Sequence, residues 1–324
     1  MFIRQIRYSL PLIAVAASAA VAPRRGSSAT RQATAPGLWD AHTHLTWSGA
    51  AALDSLVAHG VVAVRDCGGD ALQLRAWRDS IAAGQRRGPM IYFAGPQLDG
   101  PKPDMRNRAL VDSPQRAKVV VDSLAPIGVS FIKTHSAIPA DAFFAVLREA
   151  RRHRLAVAAH LPRGVPAWVA ADSGVRSIEH AAESILASPL YANYAADVDG
   201  AMAWWRSAAG DSMLKHLART RVAVTPTLVR YRSLVLRSAN ESERQSRQRV
   251  LDFLIELTGR MHRAGIVLLA GSDFDALDPG LMPGASLHTE LELLEKAGLS
   301  HEDAIASAST EVSAWLLKAD GGRR

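Results

Sequence analysis

The sequence predicts an α/β fold, a (β/α)8 TIM barrel. From Leu38 onward, short apolar runs alternate with amphipathic segments, and a glycine often stands between an amphipathic segment and the next apolar run. Strands that alternate with helices pair in parallel, and eight strand–helix units are enough to close a barrel. An open doubly wound sheet is the competing architecture, but no GxGxxG motif follows the first strand.

The predicted elements follow from these apolar runs and from the amphipathic segments between them. The strands are Gly37–His44, Val61–Asp66, Met90–Ala94, Phe131–His135, Ala156–His160, Ser177–His180, Ala223–Leu228 and Val267–Ser272. The helices include Ser113–Pro126, Asp141–Arg152, Ser242–Arg263, Ser286–Lys296 and His301–Leu317.

The first 36 residues differ from the rest. Residues 1–22 carry Arg4 and Arg7, then an apolar run from Leu10, then small residues, which is typical of a secretory signal peptide. The apolar run is shorter than the ~20 residues that a membrane span needs. Residues 23–36 predict a flexible linker, and residues 37–324 the barrel. We therefore expect an exported protein, periplasmic or secreted, with no stable membrane insertion after cleavage.

Composition excludes several classes of protein. The 324 residues are 48% hydrophobic and 21% charged, which are ordinary values for a globular chain. The single cysteine, Cys67, excludes an internal disulfide framework and a multi-cysteine metal site. Of the 38 lysines and arginines, five fall in residues 1–36, which hold no acid, so the remainder is nearly balanced against 31 acids. We expect no binding to nucleic acid.

Six residues of metal-binding or unusual type fall at the ends of predicted strands. They are His42, His44, Lys133, His160, His180 and Asp273. All strand C-termini of a barrel open on one face, so these side chains are expected to line one mouth. Singly, each has another explanation: a hydrogen-bonded core histidine, a helix N-cap or a lysine that reaches the surface. Together, imidazoles and a carboxylate suit a divalent metal ion.

Several phrases carry a family resemblance: WDAHTHL, GVVAVRDCGG, FIKTHSA, AVAAHLPRG, SIEHAAES, VTPTLV, LLAGSDF and SLHTELELLEKAGLSHEDAIASAST. With them the chain resembles the amidohydrolase superfamily, in the branch of imidazolonepropionase-like and prolidase-like hydrolases. The resemblance implies two divalent metal ions, most often zinc. It also implies that His42 and His44 bind the buried metal, that carboxylated Lys133 bridges both metals, and that His160 and His180 bind the exposed one. Asp273 would bind the buried metal and act as general base and acid toward a metal-bridging hydroxide.

Other side chains are secondary candidates. Tyr231 follows the seventh strand and is a candidate oxyanion donor, with a packed tyrosine as the alternative. Arg230 and Arg232 are candidates for binding a substrate carboxylate. His135 lies two residues after Lys133, can face the mouth, and is a third candidate for substrate binding. Glu179 is expected to point away from His180, toward the helices.

The resemblance implies a binuclear metal-dependent hydrolase that cleaves amide C–N bonds of a small molecule, a dipeptide or an N-acyl amino acid. Hydrolysis of esters, lactones or cyclic amides at the same site is one alternative, and a non-catalytic metal- or ligand-binding barrel is another. No segment equivalent to the accessory β-sandwich of these relatives is evident. Its absence would leave apolar surface for a second copy of the chain, hence a homo-oligomer.

Overall fold

Parallel strands form the centre of the computed structural model, which describes residues 37–101, 107–187 and 197–319. The predicted signal peptide and linker lie outside these ranges. The strands are β1 (Leu38–Thr43), β2 (Val61–Asp66), β3 (Met90–Phe93), β4 (Gln97–Asp99), β5 (Arg108–Leu110), β6 (Phe131–Thr134), β7 (Ala156–Ala159), β8 (Ser177–Glu179), β9 (Ala223–Thr225) and β10 (Val267–Leu268).

The strand order follows the chain. One sheet has the order β1-β2-β3 and the other the order β10-β9-β8-β7-β6-β4-β5. A doubly wound sheet would reverse its order at a switch point, so this topology excludes the competing architecture. Isolated hydrogen bonds, not continuous ladders, join the two sheets. The Ala41 amide donates to the Ala270 carbonyl at 2.9 Å, and the Ser130 amide donates to the Phe93 carbonyl at 2.8 Å. The ladders do not form one continuous ring, so only part of the predicted barrel is observed: parallel strands in barrel order.

The predicted strands agree with the observed ones except toward the end of the chain and in one insertion. β4 and β5 lie between the third and fourth predicted strands, where the sequence predicts a loop. The seventh strand ends early, because the carboxylate of Glu290 accepts the amide hydrogens of Leu228 and Val229 and caps a helix there. The last strand shortens to Val267–Leu268.

Helices connect the strands, and most of the predicted ones are present. They are α1 (Leu45–Ser48), α2 (Ala51–Ala58), α3 (Ala71–Ala82), α4 (Pro114–Leu124), α5 (Ala140–Arg152), α6 (Ala167–Asp172), α7 (Val198–Arg206), α8 (Ala208–Thr220), α9 (Leu228–Leu236), α10 (Glu241–Arg263), α11 (Ala285–Lys296), α12 (His301–Ser307) and α13 (Thr310–Ala319). The predicted helix His301–Leu317 is two helices, interrupted at Ala308 and Ser309. Among the described helices, none has the length and apolar character to cross a bilayer.

Two apolar clusters form the core. The larger one lies between strands and helices. The smaller one joins residues from strands of both sheets, among them Ala41, Phe131 and Ala158, to α13. Its largest member is Trp315, which is 4% exposed and packs edge-on to Phe131 with ring centroids 5.6 Å apart. The Trp315 indole N–H donates to the Arg176 carbonyl at 3.0 Å. Helix α13 therefore packs against the inner faces of the strands and fills the space between them.

We expect Trp315→Ala to lower the free energy of unfolding by about 3–5 kcal/mol, because it removes a large buried side chain and leaves a cavity. Urea unfolding followed by circular dichroism measures the change. Leu72→Ala is the control, since Leu72 is 60% exposed on α3 and should alter stability by about 0.5 kcal/mol or less. If Trp315→Ala lowered the free energy of unfolding no more than Leu72→Ala, the packing role of Trp315 would be contradicted.

Candidate metal centre

The first pair of predicted ligands lies at the end of β1. The register of β1 against β2 shifts between Asp40 and Thr43, as at a β-bulge, which re-aims side chains. His42 donates from Nδ1 to Glu179 Oε2 at 2.8 Å, and His44 donates from Nδ1 to the Gly68 carbonyl at 3.0 Å. With the proton of each ring on Nδ1, both imidazoles, when neutral, have their lone pair on Nε2.

Asp273 faces both imidazoles. Its Oδ1 lies 3.4 Å from His42 Nε2 and 3.2 Å from His44 Nε2. Its backbone is left-handed, with φ 53°, and its amide donates to the His42 carbonyl at 2.8 Å. Burial raises the pKa of Asp273, but the neighbouring imidazoles of His42, His180 and His44 hold it well below 3.8. The carboxylate is therefore ionised and held against two imidazole nitrogens.

His180 and His160 continue the cluster. The His180 ring centroid lies 4.7 Å from that of His42 and 4.9 Å from that of His160. His180 has φ 70°, and its Nδ1 donates to Thr227 Oγ1 at 3.0 Å. Burial holds the pKa of both His160 and His180 well below 6.5 and lowers that of His42 to about 4. Neutral imidazoles are the form that binds a metal ion.

Lys133 on β6 is fully buried, and its strand pairs with β7, which ends just before His160. An ammonium at this position would lower the pKa of His42, His160 and His180. Lys133 Nζ, His42 Nε2 and His160 Nδ1 have no hydrogen-bond partner in the described part of the chain. Buried polar atoms are nearly always paired, so three orphans in one cluster need an explanation. Divalent metal ions would supply it, and the donor set of imidazoles and a carboxylate fits them.

A cavity of about 480 Å³ opens over the cluster. His44, His160, His180 and Asp273 line one part of it, and Trp47 and Leu277 form an apolar part. Charged side chains complete the lining: Arg108, Glu183, Arg230 and Asp275. The cavity therefore gives a small molecule access to four of the six predicted ligands.

The secondary candidates divide into two groups. His135 lines the cavity, with its ring centroid 4.4 Å from that of His160. Arg230 also lines it, but its guanidinium lies 3.1 Å from Asp278 Oδ2. Tyr231 instead packs against the apolar core, and Arg232 is exposed; neither is among the described residues that line the cavity. Arg230, Tyr231 and Arg232 are consecutive on α9, where successive side chains point in different directions.

Glu179 does not point toward the helices, so that expectation is wrong. Ile178 packs in the outer core, while Ser177 and Glu179 share the inner face of β8. Alternation along the strand therefore holds, and the left-handed backbone of His180 breaks it at the next residue. The Glu179 carboxylate is fully buried beneath the histidines.

Arg65 on β2 is Glu179's partner, and the sequence analysis missed it. Its Nη2 donates to both carboxylate oxygens at 2.8 Å, and its Nε donates to the Ala41 carbonyl at 2.6 Å. Its guanidinium lies 4.5 Å from the ring centroid of Trp315. Together with burial, this arrangement sets the pKa of Glu179: burial raises it, but Arg65 and His42 lower it far below its usual range. The sequence does carry a signal for this ion pair, since Arg65 follows four apolar residues in a strand and a buried arginine needs an acidic partner.

No family model and no curated protein matches the chain. Its fold is similar to that of solved hydrolases. Bottromycin amidohydrolase is 25% identical, with a TM-score of 0.72, and the match covers 89% of this chain and 68% of that one. A Xaa-Pro dipeptidase with bound methionine is 19% identical (TM-score 0.63, 88% and 76% covered). The A. niger ochratoxinase is 16% identical (TM-score 0.65, 87% and 71% covered). The structural neighbours of this chain are amidohydrolase-superfamily members, as its sequence motifs predict.

Proposed function

We propose that the protein is a metal-dependent hydrolase of amide C–N bonds. His42, His44 and Asp273 would hold one divalent ion, and His160 and His180 a second. The observation that carries the proposal is the convergence of orphaned donors, His42 Nε2, His160 Nδ1 and Lys133 Nζ, under an open cavity. The amidohydrolase and dipeptidase neighbours support the same chemistry.

Lys133 is the proposed bridge between the two ions. As an ammonium it would be a buried cation among imidazoles, without an acceptor in the described residues. As a neutral amine it can add to CO2 and lose a proton, which gives a carbamate with two acceptor oxygens. A carbamate anion would offset part of the positive charge of the metal ions and explain the buried position.

Asp273 is the proposed proton carrier. The metal ions, when bound, supply the Lewis acidity that activates water and polarises a carbonyl oxygen. Asp273 accepts the proton of the attacking water and returns it to the leaving nitrogen, so that a C–O bond forms as the C–N bond breaks. Its carboxylate is ionised and lies at the cavity wall, so it carries no proton of its own and can accept one.

The proposed substrates are dipeptides or N-acyl amino acids with a free carboxylate. A cavity of about 480 Å³ suits molecules of this size. Arg108, Arg230 and His135 line it and can donate to a carboxylate. Arg230 is already bound by Asp278, and Arg108 by Asp99 at 2.6 Å. The carboxylate would therefore share these cations with the acids that hold them.

Hydrolysis of a panel of dipeptides and N-acyl amino acids by metal-loaded protein tests the proposal. We expect turnover of at least one class, abolished by chelator and restored by a divalent metal ion. Asp273→Asn should lower kcat by about 10³-fold or more, because the proton carrier is lost. A folded, metal-loaded protein without turnover on either class, or turnover that chelator does not affect, would contradict it.

Glu179→Gln should weaken metal binding by about 10- to 100-fold, because Glu179 orients His42 through Nδ1. Competition with a chromophoric chelator measures the affinity. Glu256→Gln is the matched control, since Glu256 pairs with Arg206 on the surface, remote from the site. Equal affinities in both variants would show that Glu179 does not support the ligand.

We also propose that the protein is exported, on the evidence of residues 1–22. Mass spectrometry of the protein recovered from an expressing Gram-negative cell should give a chain that begins after Ala19 or Ala22. Arg4→Glu together with Arg7→Glu removes the positive charge that a signal peptide needs, and should leave the chain uncleaved. An uncleaved wild-type chain would contradict export by this signal.

A further inference from the structure

Glu183 is a charged residue of the cavity that the proposed chemistry does not use. It follows His180 in a short π-helical segment, Ala181–Leu186. Such segments are rare and occur often at functional sites. Its side chain is exposed and lines the cavity together with His180 and Asp273. No side chain in the described ranges forms a hydrogen bond or an ion pair with its carboxylate.

The arginines near Glu183 are paired with other acids. Arg230 is the nearest cation, but its guanidinium lies 3.1 Å from Asp278 Oδ2 and 3.7 Å from Asp275 Oδ2. Arg237 also contacts Asp278, at 3.3 Å. Arg230 Nε also lies 3.8 Å from Asp273 Oδ2. Two arginines thus meet three aspartates, and neither arginine forms an ion pair with Glu183 in the described part of the chain.

We propose that Glu183 forms a subsite for a positively charged amino group of the substrate. The inference rests on the proposed function and narrows it to dipeptides with a free α-amino group, as opposed to N-acyl amino acids. The α-amino nitrogen of a dipeptide is two bonds from the scissile carbonyl carbon. A carbonyl held beside Asp273 therefore brings an ammonium to the same cavity that Glu183 lines. The ammonium would form an ion pair with the Glu183 carboxylate and donate hydrogen bonds to it.

Matched substrates test this subsite. L-alanyl and isobutyryl amides of leucine, phenylalanine or proline differ only in an ammonium that replaces a methyl group. With metal-loaded protein we expect kcat/KM to favour the alanyl compound by about 10- to 100-fold, the range for a hydrogen bond between charged groups. Glu183→Gln should raise KM for the alanyl compound and remove this preference, while the isobutyryl compound keeps its KM and kcat. Glu292→Gln, at an exposed position on α11, is the control.

The outcomes separate this inference from the proposed function. Equal kcat/KM for both compounds, or a preference that Glu183→Gln does not change, would overturn the subsite while amide hydrolysis stands. An equal loss on both compounds would overturn it too, because Glu183 would then act on the structure. If neither compound is hydrolysed, the proposed function fails, and calorimetric titration decides the subsite. Tighter binding of the alanyl compound, lost in Glu183→Gln, supports it; equal binding or no binding overturns it.

Discussion

The buried ion pair between Arg65 and Glu179 is the interaction on which the site depends. Both side chains are fully buried, and removing two charges from water is expensive unless every donor and acceptor is paired. Here the pairing is dense: the carboxylate accepts from Arg65, from His42 Nδ1 and from Ser177 Oγ. The pair therefore ties strands of both sheets together at the point where His42 must be oriented.

The same pair links the metal centre to the end of the fold. Trp315 of α13 covers the guanidinium of Arg65 from below, and Phe131 of β6 lies 5.5 Å from it. The aromatic rings exclude water from the ion pair, which strengthens its electrostatic interaction. A helix far along the chain thus stabilises a carboxylate that holds an imidazole of β1. The packing of the core and the geometry of the site therefore depend on the same residues.

Backbone conformation at the strand ends completes the site. His180, Thr227 and Asp273 are left-handed although none is glycine. Strain of this kind persists where surrounding contacts over-determine it, and it clusters at functional sites. The segment at Gly271 packs closely against β1, since a Cβ at Gly271 would lie 2.7 Å from His42 Cβ. These positions turn side chains toward the cavity that regular strands would direct elsewhere.

Much of this could be predicted from the sequence, because strand ends are marked by where apolar runs stop. That signal placed His42, His44, Lys133, His160, His180 and Asp273 in one neighbourhood. It could not give the direction of Glu179, because that expectation rests on the direction of His180, and the positive φ of His180 turns this side chain out of the strand's alternation. Nor could it place Tyr231 and Arg232, whose orientation follows from the start of α9, set by Glu290 from a distant helix. Contacts between segments that are distant in the chain leave no local pattern in the sequence from which they could be predicted.

Metal stoichiometry of the purified protein tests the account's central claim most directly. Elemental analysis should give about two divalent ions per chain in the wild type and a sharp fall in Lys133→Ala. Lys215→Ala, on the exposed face of α8, should keep the wild-type content. Circular dichroism establishes that each variant is folded. Equal metal content in wild type and Lys133→Ala would contradict the bridge, and a folded wild-type protein that takes up no metal would contradict the whole centre.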